Sequence, residues 1–148
     1  MAEKIETTPF TEDIIVKTIA RILLPLILLW ALYVLIHGAG GPGGGFQAGC
    51  VLAAGLILFT IAFGLKETKK IFTIKWATFL SSLGVMIYAG TGLLCLFFGG
   101  KFLEYGKLPF PIPVEGAEYG IESIEIGVGI TVMAVMISIF YDLALKKE

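Results

Sequence analysis

The chain has 148 residues, of which 57% are hydrophobic and only 16% are charged, and its mean hydropathy is +0.91. A soluble domain of this length leaves roughly 30% of its unfolded-chain surface exposed, which so few polar residues could not cover. The net charge of −1 gives no basis for nucleic-acid binding. Several uncharged runs reach the length of about 20 residues that spans a bilayer. The composition therefore predicts a polytopic protein embedded in the lipid bilayer.

The first two predicted spans cover residues 14–36 and 46–65. The polar, acidic segment before the first span lacks the positive start of a signal peptide, so we expect it to be retained. Around the start of the second span, Gly45, Gly49 and Ala53 recur every four residues. Small residues at this spacing predict a helix face on which another helix packs closely.

The third and fourth predicted spans cover residues 76–100 and 120–145, after a basic connection at residues 66–75. Between them lies a longer connection, residues 101–119, that contains the sequence Pro-Phe-Pro-Ile-Pro. Alternating prolines exclude a helix and favour an extended segment. The prediction is a single integral-membrane domain, residues 1–148, with the fold class of an all-α membrane protein with four transmembrane helices.

The distribution of basic residues predicts the orientation of these helices. Four spans place both termini on one side of the membrane, together with the connection after the second span. That side carries nine lysine and arginine residues and the other side carries two. Both termini are therefore predicted to be cytoplasmic, with the proline-rich loop outside, in a multi-pass protein of the cytoplasmic membrane. The nine are Lys4, Lys17, Arg21, Lys66, Lys69, Lys70, Lys75, Lys146 and Lys147, and the two are Lys101 and Lys107.

A glycine-rich stretch joins the first two predicted spans, and six of the ten residues from Gly40 to Gly49 are glycine. Glycine loses the most conformational freedom on ordering, so such a cluster indicates positive φ angles or close backbone approach. The stretch lacks the Gly-Lys-Ser/Thr ending and the preceding strand of a phosphate-binding loop, which argues against nucleotide binding. It predicts a tight turn that brings two helices together and leaves Gln47 able to contact a partner.

Three ionisable residues are candidates for an ion pathway. Glu122 and Glu125 are three residues apart and share a helix face, and their predicted place near the start of the fourth helix favours negative charge. A carboxylate inside a membrane is by default a candidate for proton or cation transfer, whereas the alternative is two first-turn acids near water. His37 is the third candidate because histidine is the side chain type that ordinarily changes charge near neutral pH, although a lone histidine at a helix end is more often structural.

The sequence contains no nucleophile–base pair, no Cys-x-x-Cys pair and no cluster of cysteine and histidine. It therefore predicts no catalytic site, no bound cofactor and no metal site in this chain. Cys50 and Cys95 both lie in apolar runs, where a thiol behaves as a small hydrophobic group.

The residues from His37 to Gly49 resemble the motif of the MnhB/MrpB family, the B subunits of Mrp-type multisubunit sodium/proton antiporters. That motif reads approximately Gly-His-x-x-Pro-Gly-Gly-Gly-Phe-x-x-Gly, although here His37 precedes a glycine instead of following one. A second stretch, residues 124–128, is similar to the family's Phe-Asp-Ile-Gly-Val and places Glu125 on the family's acidic position. The first motif is carried by Pro42, Gly43, Gly44, Gly45, Phe46 and Gly49, with Gln47 in the variable pair.

The resemblance covers essentially the whole chain and implies a non-catalytic membrane subunit of a sodium/proton-translocating module. Na⁺ and H⁺ would be the transported ions of the complex. The implied partners are other small Mrp-like membrane subunits and large antiporter-like subunits.

The family also occurs in archaeal membrane-bound hydrogenases and sulfur-reducing complexes. There an Mrp-like module joins a redox module similar to respiratory complex I, with nickel–iron and iron–sulfur centres in partner subunits. The order of residues at His37, the absence of asparagine and the single glutamine favour this redox-linked oxidoreductase setting. The alternatives are a stand-alone Mrp antiporter and a purely architectural subunit that no ion crosses.

Overall fold

The computed structural model describes residues 13–38, 43–109, 111 and 113–145. This part of the chain contains helices and turns but no strand. The four longest helices, α1, α2, α4 and α5, are each long and apolar enough to cross a membrane, which confirms the predicted fold class. The elements are α1 (Ile14–Ile36), α2 (Gly45–Phe63), α3 (Leu65–Ile71), α4 (Ile74–Phe97), a 3₁₀ turn (Tyr105–Lys107) and α5 (Pro113–Leu145).

Side chains and glycines set the ends of the first helices. The carboxylate of Asp13 accepts a hydrogen bond of 2.8 Å from the backbone N–H of Ile15, which caps the N-terminus of α1. Gly44 precedes α2 with φ +127°, and Gly64 follows α2 with φ +93°. Both angles lie in a region that L-residues with side chains rarely adopt, so the glycines define the length of α2.

The basic connection after α2 is not entirely a loop, because α3 occupies most of it. Glu67 lies in the first turn of α3, and Lys69 and Lys70 lie in its last turn, an arrangement that the helix dipole favours. The amino group of Lys70 is 2.6 Å from a carboxylate oxygen of Glu67. The local charge pattern therefore favours a short helix in a segment that was predicted to be a connection.

The prediction of an extended segment through residues 101–119 is wrong for its last part, because α5 begins at Pro113 rather than near Gly120. A proline at the first helical position removes an N–H group that would have no partner there, and its fixed φ suits a helix. The third proline of the Pro-Phe-Pro-Ile-Pro sequence thus starts the helix that the proline pattern argued against.

The long helices lie in the order α1, α2, α5, α4, and α5 packs against both α2 and α4. Gly45, Gly49 and Ala53 of α2 are buried on the face that meets α5, which confirms the predicted small-residue stripe. A Cβ atom added to Gly49 would lie 2.6 Å from the carbonyl oxygen of Gly129. These two helices can approach so closely only because a side chain is missing.

The contact between α4 and α5 is equally close. A Cβ atom at Gly84 of α4 would collide with Oγ1 of Thr131 and with the carbonyl oxygen of Gly127, both in α5. The Thr131 hydroxyl donates to the Gly127 carbonyl at 2.9 Å within α5, and it also lies 3.5 Å from the carbonyl oxygen of Ser81 in α4. Glycines on α2, α4 and α5 therefore allow α5 to pack closely between α2 and α4.

At the other end of α5, Tyr141 connects the helix to the segment between α3 and α4. Its side chain is 1% exposed, and its hydroxyl donates a 2.8 Å hydrogen bond to the carbonyl oxygen of Phe72. Tyr141 packs in a small core with Ala53 and Ile137. The outer faces of the long helices expose apolar side chains such as Leu29, which suits contact with lipid or with neighbouring membrane subunits.

Candidate functional site: a carboxyl group beside a glycine turn

The chain between α1 and α2 is bonded back onto the end of α1. The backbone N–H of His37 donates to the carbonyl oxygen of Tyr33 at 3.0 Å, which closes the helix. The N–H of Gly44 then donates to the carbonyl oxygen of Val34 at 3.3 Å. With the φ angle of +127° at Gly44, this bond directs the chain into α2. We call Gly38, Gly43, Gly44 and Gly45 the glycine turn.

The glycines of the turn allow the backbone to approach its neighbours closely. A Cβ atom at Gly43 would lie 2.9 Å from the carbonyl oxygen of Val34. A Cβ atom at Gly45 would overlap the backbone carbonyl group of Glu125 in α5. The turn therefore contacts both the last turn of α1 and the backbone of α5. Pro42, which belongs to the same motif, lies outside the described residues.

The carboxyl group of Glu125 lies against this turn. A Cβ atom at Gly38 would be 2.5 Å from its Oε2 and 2.7 Å from its Oε1, and a Cβ atom at Gly44 would be 3.3 Å from its Oε1. Oε2 is buried, and within the described part of the chain it has no hydrogen-bond partner. The structure thus brings together the two motifs that lie far apart in the sequence.

The electrostatic reason that the sequence suggested for these acids is wrong. Because α5 begins at Pro113, Glu122 and Glu125 lie roughly three turns inside the helix, whereas the dipole acts within the first turn. Glu125 is therefore not a first-turn acid in this structure. A carboxylate oxygen that is buried without a donor is energetically costly, so the presence of Oε2 at this place requires another explanation.

Glu122 lies one turn before Glu125 on the same helix and is half-buried. It is close enough to Glu125 to act on it electrostatically. Of the two predicted carboxyl groups, Glu125 is the one whose oxygens lie against the glycine turn.

The imidazole of His37 is exposed and stacks on the ring of Tyr33, with centroids 5.2 Å apart and planes inclined by 14°. The Tyr33 ring in turn stacks on Trp30 at 5.5 Å. Within the described residues, His37 makes no hydrogen bond or ion pair with Glu125. The two other motif side chains, Phe46 and Gln47, are exposed.

The described residues contain no group of three or more His, Cys, Asp and Glu side chains that could hold a metal ion. A sodium ion at Glu125 would therefore take its further oxygen ligands from backbone carbonyl groups, water or neighbouring subunits. A proton would need only the carboxyl group itself. The site can thus act on either ion only as one part of a larger pathway.

The sequence indicates Glu125 and most of the glycine turn as candidate functional residues, but it does not predict the contact between Gly38 and Glu125. No local signal in the sequence shows which side chain a glycine such as Gly38 will meet. Its contact with Glu125 depends on how α1, α2 and α5 pack together.

Four helices that are long and apolar enough to span a membrane, with a carboxyl group held against a glycine turn, define an integral membrane protein. The chain belongs to the MnhB family: residues 15–138 match the domain described as related to the MnhB subunit of the Na⁺/H⁺ antiporter. It is a multi-pass protein of the cell membrane.

Two staphylococcal relatives are similar over nearly their whole length. A Staphylococcus haemolyticus protein, provisionally named antiporter subunit mnhB2, is 30% identical over 138 residues, which are 92% of this chain and 97% of the relative. The protein of the same name from Staphylococcus aureus strain Newman is 25% identical over 134 residues, which are 89% and 94% of the two chains. The similarity therefore includes all four membrane-spanning helices.

Proposed function

We propose that this chain is a non-catalytic membrane subunit of a multisubunit Mrp-type Na⁺/H⁺ antiporter and that Glu125 is one station on its ion pathway. The family supports the first part, since the relatives named above carry the name of an antiporter subunit. The geometry around Glu125 supports the second part.

One observation carries the assignment of Glu125: its Oε2 is buried and has no hydrogen-bond partner among the described residues. Membrane proteins place ionisable groups within their helices rarely, and such groups commonly belong to ion or proton pathways. A carboxyl group that only joined helices would be expected to accept hydrogen bonds from its neighbours. The vacant acceptor at Oε2 is instead suited to a proton or to a passing cation.

Backbone atoms of the glycine turn lie over the carboxyl group of Glu125. Gly38 and Gly44 lie against the two carboxyl oxygens, and neither presents a side chain to them. A cover without side chains can move by small changes in backbone angles, because glycine has access to more of φ/ψ space than other residues. The turn is therefore assigned the role of limiting access to Glu125, while His37 is assigned a structural role in closing α1.

The remaining machinery would belong to partner chains. Two carboxyl groups one helical turn apart, at Glu122 and Glu125, provide too few polar groups to carry ions across the bilayer alone. Other small Mrp subunits would complete the path at the exposed apolar faces, and the large antiporter-like subunits would carry the main proton transfer.

The proposal also concerns the kind of complex to which the chain belongs. The names of the relatives refer to antiporter subunits and not to a hydrogenase, so the stand-alone antiporter replaces the redox-linked complex as the first candidate. Purification of the tagged chain from its native membrane, followed by mass spectrometry of the co-purifying chains, distinguishes the two. Antiporter subunits alone support the proposal, whereas stoichiometric nickel–iron and iron–sulfur subunits would establish the redox-linked setting.

Replacement of Glu125 by glutamine tests the role of the carboxyl group. Glu125→Gln keeps the size and polarity of the side chain but removes its charge and titration, so we expect loss of Na⁺-driven proton exchange in everted vesicles. Glu125→Asp restores the acid that the family motif carries and should retain exchange. Glu118→Gln is the matched control, because Glu118 is an exposed acid on the same helix.

The amount of assembled complex must be measured for each variant. Normal exchange by an assembled Glu125→Gln complex would show that no ion uses this group and would favour the architectural alternative. Loss of exchange with normal assembly, combined with activity of Glu118→Gln, would support the proposed pathway.

A further inference from the structure

The corner between α3 and α4 combines basic side chains, aromatic rings and open space at one end of the membrane-spanning helices. Two adjoining shallow depressions of about 310 Å³ and 430 Å³ lie in the surface there, and both are lined by Thr73 and Lys75. We call this the corner groove. Its remaining lining residues are Lys69, Ile74, Trp76 and Phe79.

The charge of the corner is positive. α3 and the start of α4 carry four lysines, and the one acid among them, Glu67, is already paired with Lys70 at 2.6 Å. Lys69 and Lys75 line the groove, and neither forms an ion pair within the described residues. The N-terminus of α4, which begins at Ile74, adds the positive end of its dipole. A negatively charged group is therefore favoured here.

The aromatic residues continue the groove towards the membrane. Trp76 and Phe79 are both 56% exposed, and their rings meet edge to face with centroids 5.8 Å apart. Tryptophan is enriched at the level of lipid headgroups because its ring is apolar and its N–H is polar. A ligand of this groove thus meets positive charge at one end and apolar rings at the other.

From this arrangement we propose that the corner groove binds the headgroup of an anionic phospholipid. The phosphate would lie between Lys69 and Lys75, and the acyl chains would lie along Trp76 and Phe79. Basic pockets at the membrane surface favour anionic headgroups in this way, with about 1 kcal/mol for each lysine near the surface. The inference concerns a site at the opposite ends of α2 and α5 from Glu125, and it does not depend on the proposed ion pathway.

Quenching of Trp76 fluorescence by brominated lipids tests this site. Trp30 and Trp76 are the two tryptophans of the chain, so a Trp30→Phe variant reports on Trp76 alone. The full-length variant is reconstituted in phosphatidylcholine vesicles with a small, equal mole fraction of brominated phosphatidylglycerol or brominated phosphatidylcholine. We expect stronger quenching by the brominated phosphatidylglycerol, and equal quenching would overturn the proposal.

Lysine variants separate a defined site from general attraction. In the Trp30→Phe background, Lys69→Gln or Lys75→Gln should each reduce the preference for phosphatidylglycerol about fivefold, the factor that corresponds to 1 kcal/mol. Lys66→Gln is the matched control, since Lys66 carries the same charge on α3 but does not line the groove. An equal effect of Lys66→Gln would mean that only the summed charge matters, which contradicts a site.

Two further measurements distinguish other occupants. Inorganic phosphate should not displace brominated phosphatidylglycerol more effectively than chloride at the same ionic strength; displacement would assign the groove to a free oxyanion. In the complex purified from its native membrane, photoreactive phosphatidylglycerol should crosslink to the segment that contains Trp76. Absence of that crosslink, with crosslinks elsewhere in the chain, would show that a neighbouring subunit covers the groove.

Discussion

Gly38 and Glu125 meet because Gly38 has no side chain: a Cβ atom at this position would lie 2.5 Å from Oε2 of Glu125. The same atom would lie 2.6 Å from the Cα atom of Gly44. Rotation of the glutamate side chain could relieve the first contact but not the second, which involves the backbone of the turn. Gly38 therefore fixes how the turn lies on the carboxyl group.

Gly38→Ala should lift the glycine turn away from Glu125. We expect a stability cost of about 1–3 kcal/mol, since the added methyl group overpacks the contact. The rate of Na⁺-driven proton exchange, divided by the amount of assembled complex, should change with it. Gly90→Ala is the control, because a Cβ atom at Gly90 meets nothing within 4 Å. An unchanged exchange rate in Gly38→Ala would remove the turn from the proposed pathway.

Gly84→Ala should separate α4 from α5. The new methyl group would collide with Oγ1 of Thr131 and would lie 3.0 Å from its backbone nitrogen. We expect a loss of about 1–3 kcal/mol, seen as a lower midpoint of thermal unfolding in detergent. Gly90→Ala in the same helix should instead be neutral or stabilise the protein by up to about 1 kcal/mol, because alanine favours a helix. Equal midpoints for the two variants would contradict the described α4–α5 contact.

Tyr141→Phe should destabilise the end of α5. The variant loses the 2.8 Å hydrogen bond to the carbonyl oxygen of Phe72, and it leaves that acceptor without its donor. The expected cost is about 1–3 kcal/mol, measured by thermal or denaturant unfolding. Tyr33→Phe serves for comparison, because the Tyr33 side chain is 54% exposed and its loss of a hydroxyl should have little effect.

Tyr105 should make stability depend on pH in the alkaline range. Burial, followed by the charges of Tyr88 and Cys95 when ionised, raises the pKa of the Tyr105 phenol above its ordinary value. A raised pKa in the folded state means that folding favours the protonated phenol. Its contribution is fully present below about pH 10, the value for an unfolded chain, and is lost as the pH rises through the folded-state pKa.

Spectrophotometric titration checks the expected shift of Tyr105. The phenolate absorbance of the wild type should include a late component that is smaller in Tyr105→Phe. The variant should also lose less of its thermal stability than the wild type when the pH rises from just below to well above 10. A titration curve of Tyr105→Phe that lacks an early component instead would contradict the assigned direction.

The transmembrane helices could be predicted because hydrophobic length is a local property of the sequence. The first predicted span has the bounds of α1, and the repeat of Gly45, Gly49 and Ala53 identified the face of α2 that packs on α5. Small residues repeated every four positions place a gap on one helix face whatever the partner is. The partner itself could not be predicted from this pattern.

The start of α5 and the surroundings of Glu125 could not be predicted in the same way. Whether a proline ends a segment or begins a helix depends on the residues that follow it, and Pro113 begins one. Because α5 begins earlier than predicted, Glu122 and Glu125 also lie too far from its N-terminus for the helix dipole to stabilise them. The contact between Gly38 and Glu125 depends on how the chain after α1 packs against α5, and residue spacing in the sequence does not predict such tertiary packing.

The length of α5 has a consequence for where Glu125 lies relative to water. Its 33 residues extend about 50 Å, against about 30 Å of hydrocarbon in a bilayer. Gly45, the first residue of α2, packs on the backbone of Glu125. The 12 residues of α5 that precede Glu125 therefore extend about 18 Å beyond the N-terminus of α2. The surface at this end is therefore a step, with the glycine turn as its floor and the first turns of α5 as its wall. In the proposed pathway, an ion that leaves Glu125 at this end passes the glycine turn before it reaches solution.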